Sequence, residues 1–383
     1  MKRPMFIKVY NSSLEMRTHK KKPFSLLLKS FQIFGVDLEG EDSSILYKVF
    51  FRSWTTLILL LYHYWFFCDI GFYFGHKAQE NAIAESITVW SSVISYDILL
   101  WKGKDIRKLM AIMKEETEKL DRKLLGKQEK QVIFVFSISW LYMLIFIGQK
   151  LILTPEKGFG NRYTVNILRY LFDSLSEYDK IILFKLETAL EIFFIQGFLT
   201  LTIALYLLLG LSARKWFKNL KRSYMRKRNS TETGSKLTEI EEFCNDFDKL
   251  SLNVQLLDKV FTHPVAIWLL MILVTLCVRI VAVLNPRIPV TENLLTIIIV
   301  SFSRSAMTLV GMSFIADSVN QQATKTLFYL TTLSHNTHTM SAAAYHEIHM
   351  AFTRSSLEHL PMMRSTECMT YRALCLTAGT SGR

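Results

Sequence analysis

Four ionisable side chains interrupt long apolar runs of this sequence, and they are the residues best placed to do chemistry: Glu187, Glu191, Arg279 and Arg304. A charge inside hydrocarbon costs ~2.5–3.5 kcal/mol on insertion scales, so it persists where it pairs or meets a ligand. Glu187 and Glu191 are one helical turn apart, which puts both carboxylates on one helix face. Gln149 and Lys150 end another apolar run. The sequence supports a pocket in which Glu187, Glu191, Arg279, Arg304 and Gln149 offer polar contacts to a small molecule. Trp90, Phe146 and Phe194 would supply its aromatic wall. The same residues have a structural use, with Glu191 pairing to Arg279 or Arg304 to neutralise buried charge.

Other candidate chemistry is weaker. Asp97, near the inner end of its apolar run, reads as the partner of a basic loop residue. Among the tail histidines His335, His338, His346, His349 and His359, only His346 and His349 are one turn apart, and third and fourth ligands are undefined. No metal or other cofactor is expected. No glycine-rich phosphate loop, nucleophile elbow or HExxH motif occurs, and the chain does not read as an enzyme. Five scattered cysteines give no disulfide framework.

These side chains need membrane elements to hold them. Half of the 383 residues are hydrophobic, in blocks too long for a soluble domain, and the mean hydropathy is +0.21. IFFIQGFLTLTIALYLLLGL, from Ile192 to Leu211, lacks any ionisable group and has the ~20 residues that cross a bilayer. The expectation is an all-α, polytopic membrane helical bundle. Its six spans lie at about 49–74, 82–101, 132–153, 181–211, 264–284 and 294–316. The second is the weakest, carrying Glu85 and Asp97. No cleavable signal peptide precedes the first.

Residues 1–48 form a basic N-terminal segment, and 49–316 the bundle. Residues 317–383 form a tail whose longest apolar-leaning run, Thr326 to Leu333, is too short to cross. The segment Phe24–Phe34 is amphipathic, suited to the bilayer surface or to packing under the bundle. KDIRKLMAIMKEETEKLDRKLL continues the second helix into water, and residues 237–261 carry helical periodicity into the fifth span.

Lysine and arginine set the orientation. About nine precede the first span, ten fill the second loop and eleven the fourth, against about one, four and one in the opposite loops. The amino terminus and the tail are therefore expected in the cytoplasm, with the sequons at Asn11 and Asn229 unglycosylated. The formal charge of +13 sits beside apolar spans, which reads as orientation in a lipid bilayer and not as nucleic-acid binding. Anionic headgroups are a secondary partner for the basic run after Leu211.

The layout resembles the insect gustatory receptors, within the arthropod odorant and gustatory chemoreceptor superfamily. The resemblance covers about residues 24–330. It rests on the cytoplasmic amino terminus, the loop helix Glu241-Glu242-Phe243-Cys244-Asn245-Asp246-Phe247-Asp248-Lys249-Leu250, and the stretch Asp317-Ser318-Val319-Asn320-Gln321-Gln322-Ala323-Thr324. It implies a seven-helix subunit of inverted topology in the plasma membrane. Such subunits form a homo- or hetero-tetrameric, non-selective cation channel gated by a small-molecule tastant bound in the outer half. An odorant receptor working with a co-receptor shares this architecture. The resemblance further implies a pore-lining seventh helix with a closing Thr-Tyr-x-x-x-x-x-Gln-Phe signature. Neither is found here, so the expectation is a chain lacking the pore helix.

Overall fold

The computed structural model describes residues 24–38, 44–75, 80–120, 122–153, 176–230, 236–284 and 292–336, and every regular element among them is helical. In order these are α1 (Ser25–Ile33), α2 (Ile45–Gly75), α3 (Glu80–Trp101), α4 (Gly103–Glu118), α5 (Arg122–Leu153), α6 (Glu177–Ser230), α7 (Lys236–Leu284) and α8 (Glu292–Asn336). The amino-terminal 23 residues, the tail histidines from His338 on and most of the three expected outer loops lie outside the described residues.

Among the described residues, five helices contain stretches long and apolar enough to cross a membrane: Ile45–Ile70, Lys123–Gln149, Tyr178–Lys227, Glu242–Val281 and Ile298–Tyr329. The expected second span, α3, is not among these five. It packs against α7, α2 and α6. The all-α bundle expected from the sequence is what the chain forms.

α6 is its axis, because 72% of its apolar window is buried in the protein, against 11% for α2. At ~1.5 Å per residue the 54 residues of α6 reach ~81 Å, far beyond a ~30 Å hydrocarbon core. α7 and α8 are also longer than the membrane, with 49 and 45 residues. The expected boundaries at Leu211 and Ala316 therefore fall inside unbroken helices. Beyond them the three extensions pack together. Tyr224 meets Phe243 at 4.7 Å and Tyr329 at 6.3 Å, Lys221 lies 5.0 Å over the Tyr329 ring, and Lys227 pairs with Glu242 at 2.8 Å. α4 joins through Glu115, which takes Lys119 at 2.7 Å and Lys249 at 3.0 Å. These hydrogen bonds hold the Glu115 carboxyl down to about 2, although exposed pairs of this kind add little stability.

Two local devices shape the bundle. Pro264 lies inside α7 and has no N–H for the carbonyl of Val260. Lys102, at the α3–α4 junction, donates Nζ to the Lys259 carbonyl at 2.5 Å and lies 3.4 Å from that of Val260. Near the amino end, α1 enters the bundle instead of lying on its surface. Phe31 and Phe34 are fully buried, and the Trp54 indole donates to the carbonyls of Gln32 and Ile33 at 3.2 and 3.1 Å. Gly35 ends this element at φ 74°, and a Cβ there would lie 3.1 Å from both Thr55 Cα and the Tyr96 hydroxyl.

Asp258, six residues before Pro264, yields a prediction. Burial pushes its carboxyl up to about 7. A carboxyl raised above its unfolded value stabilises the protonated fold, so stability is highest at low pH and falls as pH rises through about 7. Asp258→Asn is expected to flatten the dependence of Tm on pH between about pH 4 and 7. An unchanged slope in detergent-solubilised protein refutes this.

Candidate functional site

Aromatic residues from α1, α2, α3, α5 and α6 meet at one level of the bundle. Tyr62 and Tyr96 stack at 4.6 Å, and the Tyr62 hydroxyl donates to the Phe194 carbonyl at 2.6 Å. Ser92 donates to the next carbonyl, Ile195, at 2.9 Å. Both bonds use spare lone pairs on helical carbonyls, so they tie α2 and α3 to α6 without breaking its ladder. Phe198 packs 5.1 Å from Tyr96 and 6.2 Å from Phe31, while Phe34 stacks on Phe193 at 5.5 Å. Trp65 lies 6.2 Å from Phe194, and Trp140 lies 6.1 Å from Phe193. The result is a closed aromatic floor.

The contact between Trp140 and Phe193 sets the level of α5 against α6. From it, Thr188 is ~7.5 Å towards the start of α6 and Gln149 ~13.5 Å towards the end of α5, on the same side, at ~1.5 Å per residue. Both amide atoms of Gln149 and the Thr188 hydroxyl are buried with no hydrogen-bond partner among the described residues. The same holds for the Trp65 and Trp140 indole N–H groups and the Tyr142 hydroxyl. Buried polar atoms are nearly always satisfied, so several orphans on one side of an aromatic floor mark a place for a ligand or ordered water.

The expected site residues divide. Phe194 forms part of the floor, and Trp90 packs edge-on to Phe66 at 6.3 Å beside it. Gln149 stands above. Glu187 and Glu191 are partly buried, with Tyr64 in the field of both. Arg279 is buried at 4% exposure in the last turns of α7. Phe146 is partly buried and is not among the side chains packed on the core.

Arg304 has its own partners. It donates to the Gln196 side-chain oxygen and, at 3.2 Å, to the Thr200 hydroxyl, and its guanidinium lies 5.5 Å over the Tyr142 ring. Neutral acceptors and a π face thus hold this charge. Asp97 faces His63 at 3.6 Å and not a basic loop residue. α3 runs parallel to α6 through the Ser92–Ile195 bond, which sets Asp97 level with Thr200.

No protein-family model and no curated protein matches the chain. Solved structures do. The insect olfactory receptor OR5 from Machilis hrabei superposes with a TM-score of 0.65 at 12% identity, over 91% of this chain and 95% of that one. Its complex with eugenol gives 0.64 at 11% identity, over 92% and 96%. The fold is that of these insect olfactory receptors. A multi-pass membrane bundle follows from it together with the five apolar helices.

Within this bundle, charge counting overlooks several residues that hold the region together. Gln196 and Thr200 carry no charge and vanish inside the hydropathy of α6. A lone glutamine in the middle of a span is the signal that finds the first. Tyr62, Trp65 and Tyr96 are uncharged aromatics within apolar runs, and only their contacts with Phe194 and Phe198 show that they form the floor.

Proposed function

We propose that this chain is a chemoreceptor subunit of the gustatory type, contributing to a tastant-gated, non-selective cation channel in the plasma membrane. The sequence pattern and the receptor fold support that reading together. The ligand is a small, largely apolar molecule with a hydroxyl or carbonyl, bound in the outer half of the bundle on the aromatic floor. Gln149 and Thr188 offer it polar contacts, Phe194 and Trp90 the wall, and Glu187, Glu191 and Arg279 the electrostatic surround. The observation that carries this reading is the set of buried, unpartnered polar atoms above the floor. One related fold is described in complex with eugenol, an aromatic ligand of this chemical kind.

Tryptophan fluorescence of the full chain in nanodiscs reports binding, since Trp65, Trp90 and Trp140 surround the site. Titration with small phenols, eugenol included, is expected to saturate. Gln149→Leu is expected to weaken binding about tenfold, the value of one ligand hydrogen bond. Unchanged affinity in a folded Gln149→Leu protein removes the pocket from this position. Surface expression is scored separately, because Glu187, Glu191 and Arg279 also serve to balance buried charge.

The lysine and arginine distribution supports a cytoplasmic amino terminus, and the subunit is proposed to assemble as a homo- or hetero-tetramer. An epitope inserted at 231–235 is expected to be accessible only after permeabilisation, and Asn11 and Asn229 to carry no glycan. Surface labelling of intact cells, or a glycan at either site, reverses the orientation.

A further inference from the structure

Just beyond the apolar stretch of α6, three helices converge on an uncompensated basic cluster. Gln128 Nε2 donates to Ser212 Oγ at 2.9 Å and lies 3.4 Å from Thr117 Oγ1. Asn219 Nδ2 donates to the Lys119 carbonyl at 3.2 Å. These bonds hold the end of α4, the start of α5 and the middle of α6 at one level. Lys127 is adjacent to Gln128, and Lys215 is one turn beyond Ser212, so two ammonium groups face each other across α5 and α6.

Lys215 is only 9% exposed, and its Nζ is buried with no hydrogen-bond partner among the described residues. Lys218 faces Arg222, Lys127 and Arg214, and no carboxylate among the described residues opposes it. Burial, with Lys127 beside it, pushes the Lys215 ammonium down to about 8, so the charged form still predominates at neutral pH. A buried ammonium with three idle donors is costly. A second cation beside it raises that cost, and a multi-oxygen anion relieves both at once.

We infer that Lys215, Lys127 and Lys218 form a binding site for a phosphate dianion, free or as the terminal monoester of a lipid. The anion accepts from the buried Lys215 Nζ, with Lys127 and Lys218 at the mouth. Ser212 is the first residue after the apolar stretch, so the site lies at the depth of lipid headgroups. That chemistry has two sources, the headgroup of an acidic phospholipid and free phosphate. Placement at the inner leaflet rests on the orientation proposed above. Anion binding by these lysines does not.

The test uses thermal unfolding of the purified full chain in detergent, with three probes: dioctanoyl phosphatidic acid, dioctanoyl phosphatidylcholine and inorganic phosphate. Phosphatidic acid is expected to raise Tm saturably, as a ligand of the folded state alone must, and phosphatidylcholine to leave it unchanged. Lys127 is exposed, so Lys127→Gln keeps the fold and is expected to weaken the phosphatidic acid response about tenfold. Lys215→Met is expected to unfold at or above the wild-type Tm without lipid, because it deletes an uncompensated charge, and to lose the lipid response. A response to inorganic phosphate equal to that for phosphatidic acid, and lost in both variants, supports the site and assigns it to the free anion. No Tm shift with either anion, or a shift retained in Lys127→Gln and Lys215→Met, overturns it. An outward-facing tag at 231–235 reverses the leaflet and leaves these shifts unaltered.

Discussion

Gly210→Ala is expected to destabilise the bundle by about 1–3 kcal/mol, the usual range for overpacking, and to reduce surface expression accordingly. A Cβ on Gly210 would lie 2.3 Å from Ile315 Cγ2, closer than any real contact. The clash falls between the axial helix α6 and α8, two rods that have no loop nearby to absorb a shift. Small residues serve this purpose in membranes, where apolar side chains gain little by leaving lipid and close packing carries helix association. The sign is informative, since alanine favours a helix over glycine by about 1 kcal/mol and propensity alone predicts stabilisation. Gly197 offers a contrast. Its Cβ would meet the flexible Met143 Sδ at 2.6 Å and Phe34 at 3.1 Å, so Gly197→Ala is expected to cost less. The decisive measurement is a double-mutant cycle with Ile315→Ala, which is expected to restore most of the loss. Gly210→Ala at or above wild-type stability, or no recovery on shortening Ile315, refutes the close approach.

The second large effect concerns the charge at Arg304. Gln196→Leu is expected to cost about 1.5–3 kcal/mol, the range for a hydrogen bond to a charged group, because the guanidinium stays in place with only Thr200 and the Tyr142 ring beside it. Gln196→Leu combined with Arg304→Met is expected to be more stable than Gln196→Leu alone, since replacing both partners by apolar groups removes the orphaned charge. Unfolding in mild detergent of the wild type, Gln196→Leu, Arg304→Met and the double variant completes the cycle. Strict additivity, with the double variant the least stable, would mean that the two side chains act independently.

Much of the fold is legible in the sequence because hydrocarbon thickness imposes a length on every crossing helix. The stretches around Ile192–Leu211 and Pro264–Leu284 announce themselves by that length, and both lie within single helices. Apolar length says nothing of where a helix stops once it leaves lipid. Expected boundaries at Leu211 and Ala316 therefore cut continuous helices, whose extensions are held by Tyr224, Phe243 and Tyr329. Apolar length likewise leaves the partner of Asp97 open, whereas the bond from Ser92 of α3 to the Ile195 carbonyl of α6 fixes its level and His63 stands beside it. In the candidate site, charged residues are visible because they are costly in lipid. Gln196, Thr188 and Gly210 are neutral or featureless, and only the neighbouring helices give them meaning.

The Gly210–Ile315 contact also divides α8 almost evenly, leaving ~35 Å of rod towards Glu292 and ~32 Å towards Asn336. A stiff beam resting on a fulcrum at its midpoint has a lever ratio near one. Tilting the tip of one arm by a given distance swings the tip of the other by about the same distance in the opposite sense. On that geometry, an ångström of displacement beside Arg304, ~16.5 Å from the fulcrum, arrives as about 1.3 Å at Tyr329, ~21 Å on the other side, where the extensions of α6 and α7 are clasped.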